Sequence, residues 1–221
     1  MNSHNDSLND RKTDNAQPIF IPPIPLWKHF IDKSVAFCML LTLSPILITT
    51  YIIIKVTDPG PAFFVQPRMG RGGKAFGMFK FRSMVMNAEE LKAKLMEQNE
   101  RDGPAFKMTN DPRITPIGRF IRKWSIDELP QLYNVLRGDM SLVGPRPLPV
   151  TEDHQMGQWH VMRREVLPGM TCYWQIADRD KIGFDDWIRL DIKYIRDQSL
   201  WTDIKLLLMT VPAVLTNRGA K

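Results

Sequence analysis

Two acids stand side by side at Asp127 and Glu128, in the stretch WSIDELPQL that runs from Trp124 to Leu132. Bases precede them in RFIRKW, and Pro130 comes soon after. Adjacent carboxylates in basic surroundings suit two kinds of chemistry. An ionised aspartate can attack phosphorus and carry a phosphoryl group covalently. A pair of hard oxygen donors can hold magnesium when a diphosphate substrate and water complete the shell. Nearby Arg and Lys would stabilise charge on the group in transit. Helix capping competes with both. Ser125 and Glu128 fit the S-x-x-E capping box, but that start makes Pro130 the fifth helical residue, where its missing N–H breaks a bond. A cap at Asp127 puts Pro130 in the first turn, whose N–H groups have no partner anyway. On local pattern alone, an Asp127 cap is favoured, with Glu128 welcomed by the helix dipole. Capping and catalysis are compatible, because free N–H groups would also keep Asp127 ionised.

Phosphate chemistry needs cations, and two windows free of acids supply them. Between Asp58 and Glu89 lie Arg68, Arg71, Lys74, Lys80 and Arg82. Between Asp111 and Asp127 lie Arg113, Arg119, Arg122 and Lys123, with Arg137 and Arg146 beyond. Arginine offers two parallel donors to phosphate oxygens. A face resting on anionic lipid would also be basic. Lys80 and Arg82 alternate with Phe79 and Phe81, so a strand would turn both to one side. That favours a shaped site. GRGGKAFG is not a P-loop: the spacing is wrong and no Ser or Thr follows Lys74.

The elements that must position these residues begin with an apolar run. Residues 35–54 read VAFCMLLTLSPILITTYIII, without one charge. A straight helix of that length spans roughly 30 Å, about one hydrocarbon thickness. Lys28 and Lys33 flank it on one side and Lys55 on the other, with Trp27 as an interfacial anchor. Ser44-Pro45 breaks it near the middle, since Pro45 has no N–H for the carbonyl of Leu41. The residues alone leave two paths open, crossing with a kink and dipping in to return.

Around this run, residues 1–24 form an Asn-, Asp- and Ser-rich leader ending in IFIPPIP, which reads as disordered. DPGPAFFVQPRMGRGGKAFGMFKFRSM reads as two short strands around a glycine turn. Residues 87–101 make a charged helix, a candidate flap over the site. TPIGRFIRKW and DELPQLYNVLRG read as short helices, the second stopped by Gly138. SLVGPRPLP is expected to be a rigid loop, and 151–166 and 184–197 to be helical. The tail LWTDIKLLLMTVPAVL fits a helix lying in a membrane interface or one closing the core. The fold class is therefore α+β, mainly helical with a small antiparallel β element.

Composition excludes several classes. The 221 residues carry a net charge of +6, and the first 34 are balanced, so the excess lies beyond residue 34. Such a surface suits phosphate-bearing partners. Nucleic acid is not expected as a partner, since no recognisable motif for it is present. Cys38 and Cys172 make no disulfide framework, and the four histidines make no zinc pattern. No secretory cleavage site follows the apolar run.

KFRSM (80–84), RKWSIDELPQLYNVLRGDMSLVGPRP (122–147), PGMTCYWQI (168–176) and SLWTDIKLLL (199–208) closely resemble the bacterial sugar transferases, the monotopic polyprenyl-phosphate hexose-1-phosphate transferases. DPGPAFFVQPRMGRGGKAF (58–76) resembles that family's opening strands. The resemblance runs from about Trp27 to the C terminus, with its motifs in order. It implies a re-entrant membrane helix over 25–57, broken at Ser44 and Pro45, and a catalytic domain over 58–221 on the cytoplasmic face of the bacterial inner membrane. It implies interfacial helices as well. It implies that Asp127 attacks the sugar-bearing phosphorus of a UDP-sugar, that UMP leaves, and that undecaprenyl phosphate then takes the sugar phosphate. The sugar's anomeric configuration would persist, because both displacements occur at phosphorus. By the same resemblance Asp127 and Glu128 hold Mg2+, while Lys80, Arg82, Arg146 and Arg179 contact phosphate or substrate. The product would initiate an exopolysaccharide, capsule or O-antigen type glycan. The short exopolysaccharide initiators point to glucose or galactose, with N-acetylated amino sugars also open. Inner-membrane lipids are the other expected partner, and a homo-oligomer is compatible. Two departures from the pattern, Cys172 and Asp178, stand where Gly is common.

Overall fold

The apolar run folds as two helices. In the computed structural model, which describes residues 21–100, 106, 108, 110–177 and 182–216, α1 (Leu26–Thr42) and α2 (Ser44–Thr57) meet at a bend of 61°. Pro45 falls in the first turn of α2, where no N–H partner is required. The Leu41 carbonyl, which loses its usual partner at Pro45, accepts from the Ser44 hydroxyl (2.8 Å) and from a backbone N–H at the end of α1. The expected break is therefore present. Among the described residues no single helix is long and apolar enough to cross a membrane, whereas the bent pair passes by length and composition. Phe30, Phe37, Leu41, Ile48, Ile52 and Val56 all stand exposed on it.

The rest of the chain builds around a hairpin. β1 (Phe63–Met69) pairs antiparallel with β2 (Ala75–Phe81) through a tight turn at Arg71–Gly73, in the register Phe64↔Lys80 and Arg68↔Phe76. Next come α3 (Ala88–Leu95) and α4 (Pro116–Lys123), the latter capped by the Thr115 hydroxyl on the Gly118 N–H. A single 3-10 turn at Ile126–Glu128 carries the two acids. Then comes α5 (Gln131–Arg137), closed by Gly138 at φ 84°. The Asn134 side chain docks α5 onto the outer edge of β2: it accepts from the Phe79 N–H (2.9 Å) and donates to the Gly77 carbonyl (2.8 Å). One side chain thus fixes the acid-bearing turn relative to the strand that carries Lys80.

The stretch SLVGPRPLP is not wholly loop. β3 (Ser141–Val143) pairs in parallel with β4 (Gly169–Thr171), across a connection that contains α6 (Val150–Asp153) and a 3-10 segment, Gln158–Glu165. A β-carbon on Gly169 would lie 2.0 Å from the Gly144 nitrogen, so the two backbones touch where β3 ends. The antiparallel element is therefore joined by a small parallel one. Three fully buried residues are too few to show an alternating pattern. The helix expected over 151–166 is likewise divided, one turn before Gly157 and a 3-10 segment after it.

α7 (Tyr173–Ile176), α8 (Phe184–Asp197) and α9 (Leu200–Leu215) complete the chain. Ala36, Leu132, Leu142, Ile188 and Leu206 share one core, so α1 and α9 both pack into it. A smaller cluster of Ile54, Ala62, Phe81 and Ile121, with Ile126 beside it, ties α2 to the acid-bearing turn. The tail closes the core, as one of its two readings expected. Leu206 and Ala213 close the core, while Trp201, Leu208, Val211 and Leu215 face outward. Lys28, placed with the flanking charges by its position, is instead 1% exposed. Its ammonium meets Asp203 (2.5 Å), the Val143 carbonyl (3.0 Å) and the Tyr194 hydroxyl (3.2 Å). The disordered leader expected over 1–24 falls almost wholly outside the described residues.

Candidate active site

Ser125 turns the chain into the site. It sits at φ 54°, ψ 22°, the only non-glycine residue with positive φ among those described. Such a conformation is uncommon without glycine and is concentrated at functional sites. It swings the backbone from the end of α4 into the 3-10 turn, so that Asp127 is buried. Helix α5 starts later, with Pro130 in its capping position. Neither Ser125 nor Asp127 caps a helix with its side chain. The favoured local reading, a cap at Asp127, thus fails because Asp127 lies inside a separate 3-10 turn and α5 begins only at Gln131.

The two acids have different surroundings. Glu128 accepts from the Lys80 ammonium (3.0 Å) and from both ends of the Arg146 guanidinium, one of them at 3.2 Å. Burial would push its carboxyl up, but Arg146 and Lys80 outweigh that and hold it well below the usual range. Asp127 is only 8% exposed. Burial, with the Glu128 charge adding to it, pushes its carboxyl up to about 6, although Lys80, Arg122 and Arg146 pull the other way. This corrects the expectation that N–H groups at a helix start keep Asp127 ionised. It is ionised at neutral pH in spite of its site, which is a good state for a nucleophile.

Arg146 comes just after the contact between Gly144 and Gly169 and is braced from behind. Its carbonyl accepts from the Arg163 guanidinium, whose Nε meets Asp191 at 2.8 Å. Burial pushes the Asp191 carboxyl up to about 6, with Arg163 opposing. The Cys172 thiol, also buried, is pushed well above its ordinary value by burial and by the Asp191 charge. Cys172 thus belongs to packing behind the site.

Asp127, Glu128, Lys80, Arg82 and Arg146 all line one cavity of about 560 Å³. Arg82 does not touch the acids. It lies one residue beyond β2, and its guanidinium meets the Asp58 carboxylate (3.2 Å) and the Asp58 carbonyl (2.7 Å). Arg179 and Asp178 lie outside the described residues. Helix α3 overhangs the cavity as the flap reading expected, with Lys92 reaching Glu152 of α6 (3.2 Å). Arg68, Arg122 and the apolar pair Phe63 and Phe64 also line it. The two arginines were named from sequence only among the cations of the acid-free windows and the phenylalanines not as site residues, though the alternation of Phe64, Gln66 and Arg68 was a usable signal.

Two carboxylates do not make a complete cation cage, and no group of three or more candidate metal-ligating side chains occurs among the described residues. The hard oxygens of Asp127 and Glu128 fit magnesium only where diphosphate oxygens and water supply the rest.

Comparison with known proteins identifies the family. Residues 24–217 match the family described as Bacterial sugar transferase. The chain is 46% identical over 196 residues to the galactosyl transferase CpsE of Streptococcus agalactiae, covering 88% of this chain and 43% of that protein. It is 43% identical to the undecaprenyl-phosphate galactose phosphotransferase of Salmonella typhimurium, covering 87% of this chain and 41% of that protein. It is 34% identical to the exopolysaccharide production protein ExoY of Rhizobium meliloti, here covering 93% of this chain and 96% of that protein. The chain thus spans about two fifths of the length of the first two relatives and nearly all of the third.

Proposed function

This chain belongs to the bacterial sugar transferase family, and from that premise we propose that it transfers a hexose 1-phosphate from a UDP-sugar to undecaprenyl phosphate, releasing UMP. The observation that carries this reading is the unequal acid pair in a cation-lined cavity. Glu128 is fixed as an anion by two cations, and Asp127 is left as a poised carboxylate. In the first step an Asp127 oxygen attacks the sugar-bearing phosphorus, and the bond to the UMP oxygen breaks. The sugar phosphate is then held as an acyl phosphate on Asp127. In the second step an oxygen of undecaprenyl phosphate attacks the same phosphorus, the acyl-phosphate P–O bond breaks, and the Asp127 carboxylate is restored. Lys80 and Arg146 stand where negative charge on the phosphoryl oxygens would develop. Bound magnesium, held by Asp127 and Glu128 with diphosphate oxygens, would neutralise charge on the leaving phosphate. The relatives' printed names include galactose and glucose phosphotransferases, which supports a hexose donor and a role in starting an exopolysaccharide-type glycan.

The test combines purified protein in nanodiscs, undecaprenyl phosphate, a panel of UDP-sugars and Mg2+. UMP release is expected with one hexose donor, dependent on Mg2+ and absent in Asp127→Asn. Release that survives Asp127→Asn would remove Asp127 as nucleophile, and no release with any donor would sink the reading.

We also read the bent pair as a re-entrant element. Its two ends return to the same domain: Lys28 of α1 is buried against β3 and α9, and Lys55 near the end of α2 donates to the Gly60 carbonyl beside the cavity. A spanning element would separate those ends by a bilayer. The expected topology puts the leader and the tail on the cytoplasmic face. A Ser3→Cys variant lacking Cys38 and Cys172 should react with an impermeant maleimide in inverted vesicles and stay unlabelled in spheroplasts. Labelling in spheroplasts would establish a span.

A further inference from the structure

The cavity's basic side chains divide into two groups. Lys80 and Arg146 meet Glu128, Arg82 meets Asp58, Lys92 meets Glu152 and Arg113 meets Asp111. Arg68 and Arg122 have no carboxylate in ion-pair range among the described residues. Arg122 lies close enough to Asp127 to lower that carboxyl. Arg68 lies elsewhere, on β1, and its acceptors are all neutral. Its Nε and one terminal nitrogen donate to the Gln66 side-chain oxygen (3.0 and 2.6 Å), and the other terminal nitrogen donates to the Pro147 carbonyl (2.8 Å). A guanidinium has five N–H groups, and these bonds use three. Gln66 holds the plane of the fork, and among the described residues Glu152, Glu128 and Glu89 act on its charge only from beyond ion-pair range. Burial, then the neighbouring Arg146 charge, pull Arg68 down to about 10, against the opposing charges of those three glutamates.

The position of Arg68 gives the cavity a direction. Phe64, Gln66 and Arg68 alternate on β1 and all line the cavity. Phe64 lies opposite Lys80, the partner of Glu128, and Arg68 is four residues on, about 13 Å along a strand. At the Phe64 end, Phe63 stacks on Phe81 (5.1 Å between centroids) and approaches Tyr51 of α2 (5.8 Å). Phe63, Phe64 and Val65 are exposed there, continuous with the apolar face of α2. At the Arg68 end the lining is Leu148, Pro149 and Glu152, away from α2. One end offers hydrocarbon, and the other a guanidinium whose hydrogen bonds all go to neutral acceptors.

We propose that Arg68 binds the leaving nucleoside monophosphate, so that the donor's nucleotide occupies the Arg68 end of the cavity and the lipid phosphate enters past Phe63 and Phe64. This rests on the transferase reading above and adds the orientation of both substrates. An arginine fork held flat by Gln66 suits the two oxygens of a terminal phosphate. Gln66 is then a positioning residue, acting through Arg68.

The experiment uses full-length protein in nanodiscs and first requires that the wild type release UMP from a UDP-sugar; failure there would fall on the transferase reading and not on this one. UMP binding is then measured by calorimetry without turnover, alongside KM for each substrate. In Arg68→Met, the UMP dissociation constant and the KM for UDP-sugar are expected to rise on the order of tenfold or more, since a charge-assisted bidentate contact is lost. The KM for undecaprenyl phosphate is expected to stay unchanged. Arg68→Lys, which keeps charge without the fork, should show a smaller rise of the same kind, and it carries the comparison if the methionine variant does not fold. Unchanged UMP binding in either variant would overturn the proposal. So would a rise confined to the KM for undecaprenyl phosphate, which would reverse the direction of the cavity.

Discussion

Asp127→Asn is expected to give a protein that is inactive and at the same time harder to unfold. Removing a nucleophile should lower turnover on the order of 10^3-fold or more. The stability gain follows from the carboxyl's shift to about 6. In the unfolded chain this group loses its proton near the ordinary aspartate value; in the folded protein it keeps the proton to about 6. Between those values folding takes up a proton, so stability falls as pH rises through the interval. Above about 6 the full cost of holding a buried anion is present, and below about 4 it is absent. Two pK units correspond to about 3 kcal/mol as an upper figure, and an asparagine avoids most of it. For a chain of this size each kcal/mol is worth about 2–4 °C in melting temperature. In magnesium-free buffer, melting of the two proteins should coincide near pH 4, and the Asp127→Asn variant should lead by several degrees at pH 7.5. A gap that closes as pH rises would contradict the assignment. Loss of activity with loss of stability would make Asp127 a structural group.

Lys28→Met is expected to produce the largest loss of stability. The ammonium lies in the core with three oxygen acceptors around it. Removing it leaves Asp203, which is 4% exposed, with the Tyr194 hydroxyl at 2.8 Å. Breaking a buried pair from one side costs about 3–5 kcal/mol, mostly from the charge left behind. That corresponds to a fall in melting temperature on the order of 10 °C. Lys28→Met combined with Asp203→Leu should recover part of it, because Asp203 is then no longer stranded while Asp32, 4.0 Å from the ammonium and also buried, still is. A single variant that melts within about 2 °C of the wild type would mean that water reaches this network.

These two results bear on what the sequence could disclose. Local chemistry was legible. Ser44-Pro45 breaks the apolar run because proline acts within one turn. The GRGG turn makes the hairpin because glycine accepts positive φ. The acid pair stands out because few structural needs ask for two adjacent carboxylates beside bases. The remainder depended on partners far along the chain. Lys28 looks like a flanking charge until Asp203 arrives from 175 residues away. Arg82 looks like a phosphate contact until Asp58 is placed on it. The capping reading of Asp127 misled because a separate 3-10 turn holds that residue and α5 begins only at Gln131. The Asp127 shift is chiefly a consequence of burial, and burial is a property of the assembled fold. The β3–β4 pair was missed because it is short and buried throughout.

The contact between Asn134 and β2 also acts as an error check. On the strand its amide reads backbone, the Phe79 N–H and the Gly77 carbonyl, while the same amide nitrogen also donates to the Asp139 carboxylate (3.3 Å). A strand displaced by one residue would turn every side chain to the opposite face. Lys80 would then leave Glu128, and a phenylalanine would face an anion. The same displacement would present Asn134 with backbone groups aimed at β1, leaving the oxygen of a buried amide without its donor at a cost of about 1–3 kcal/mol. The misregistered hairpin is thus disfavoured before the charged site is formed at all. Because Asn134 also occupies the outer edge of β2, it covers two strand groups there on which a second chain could build.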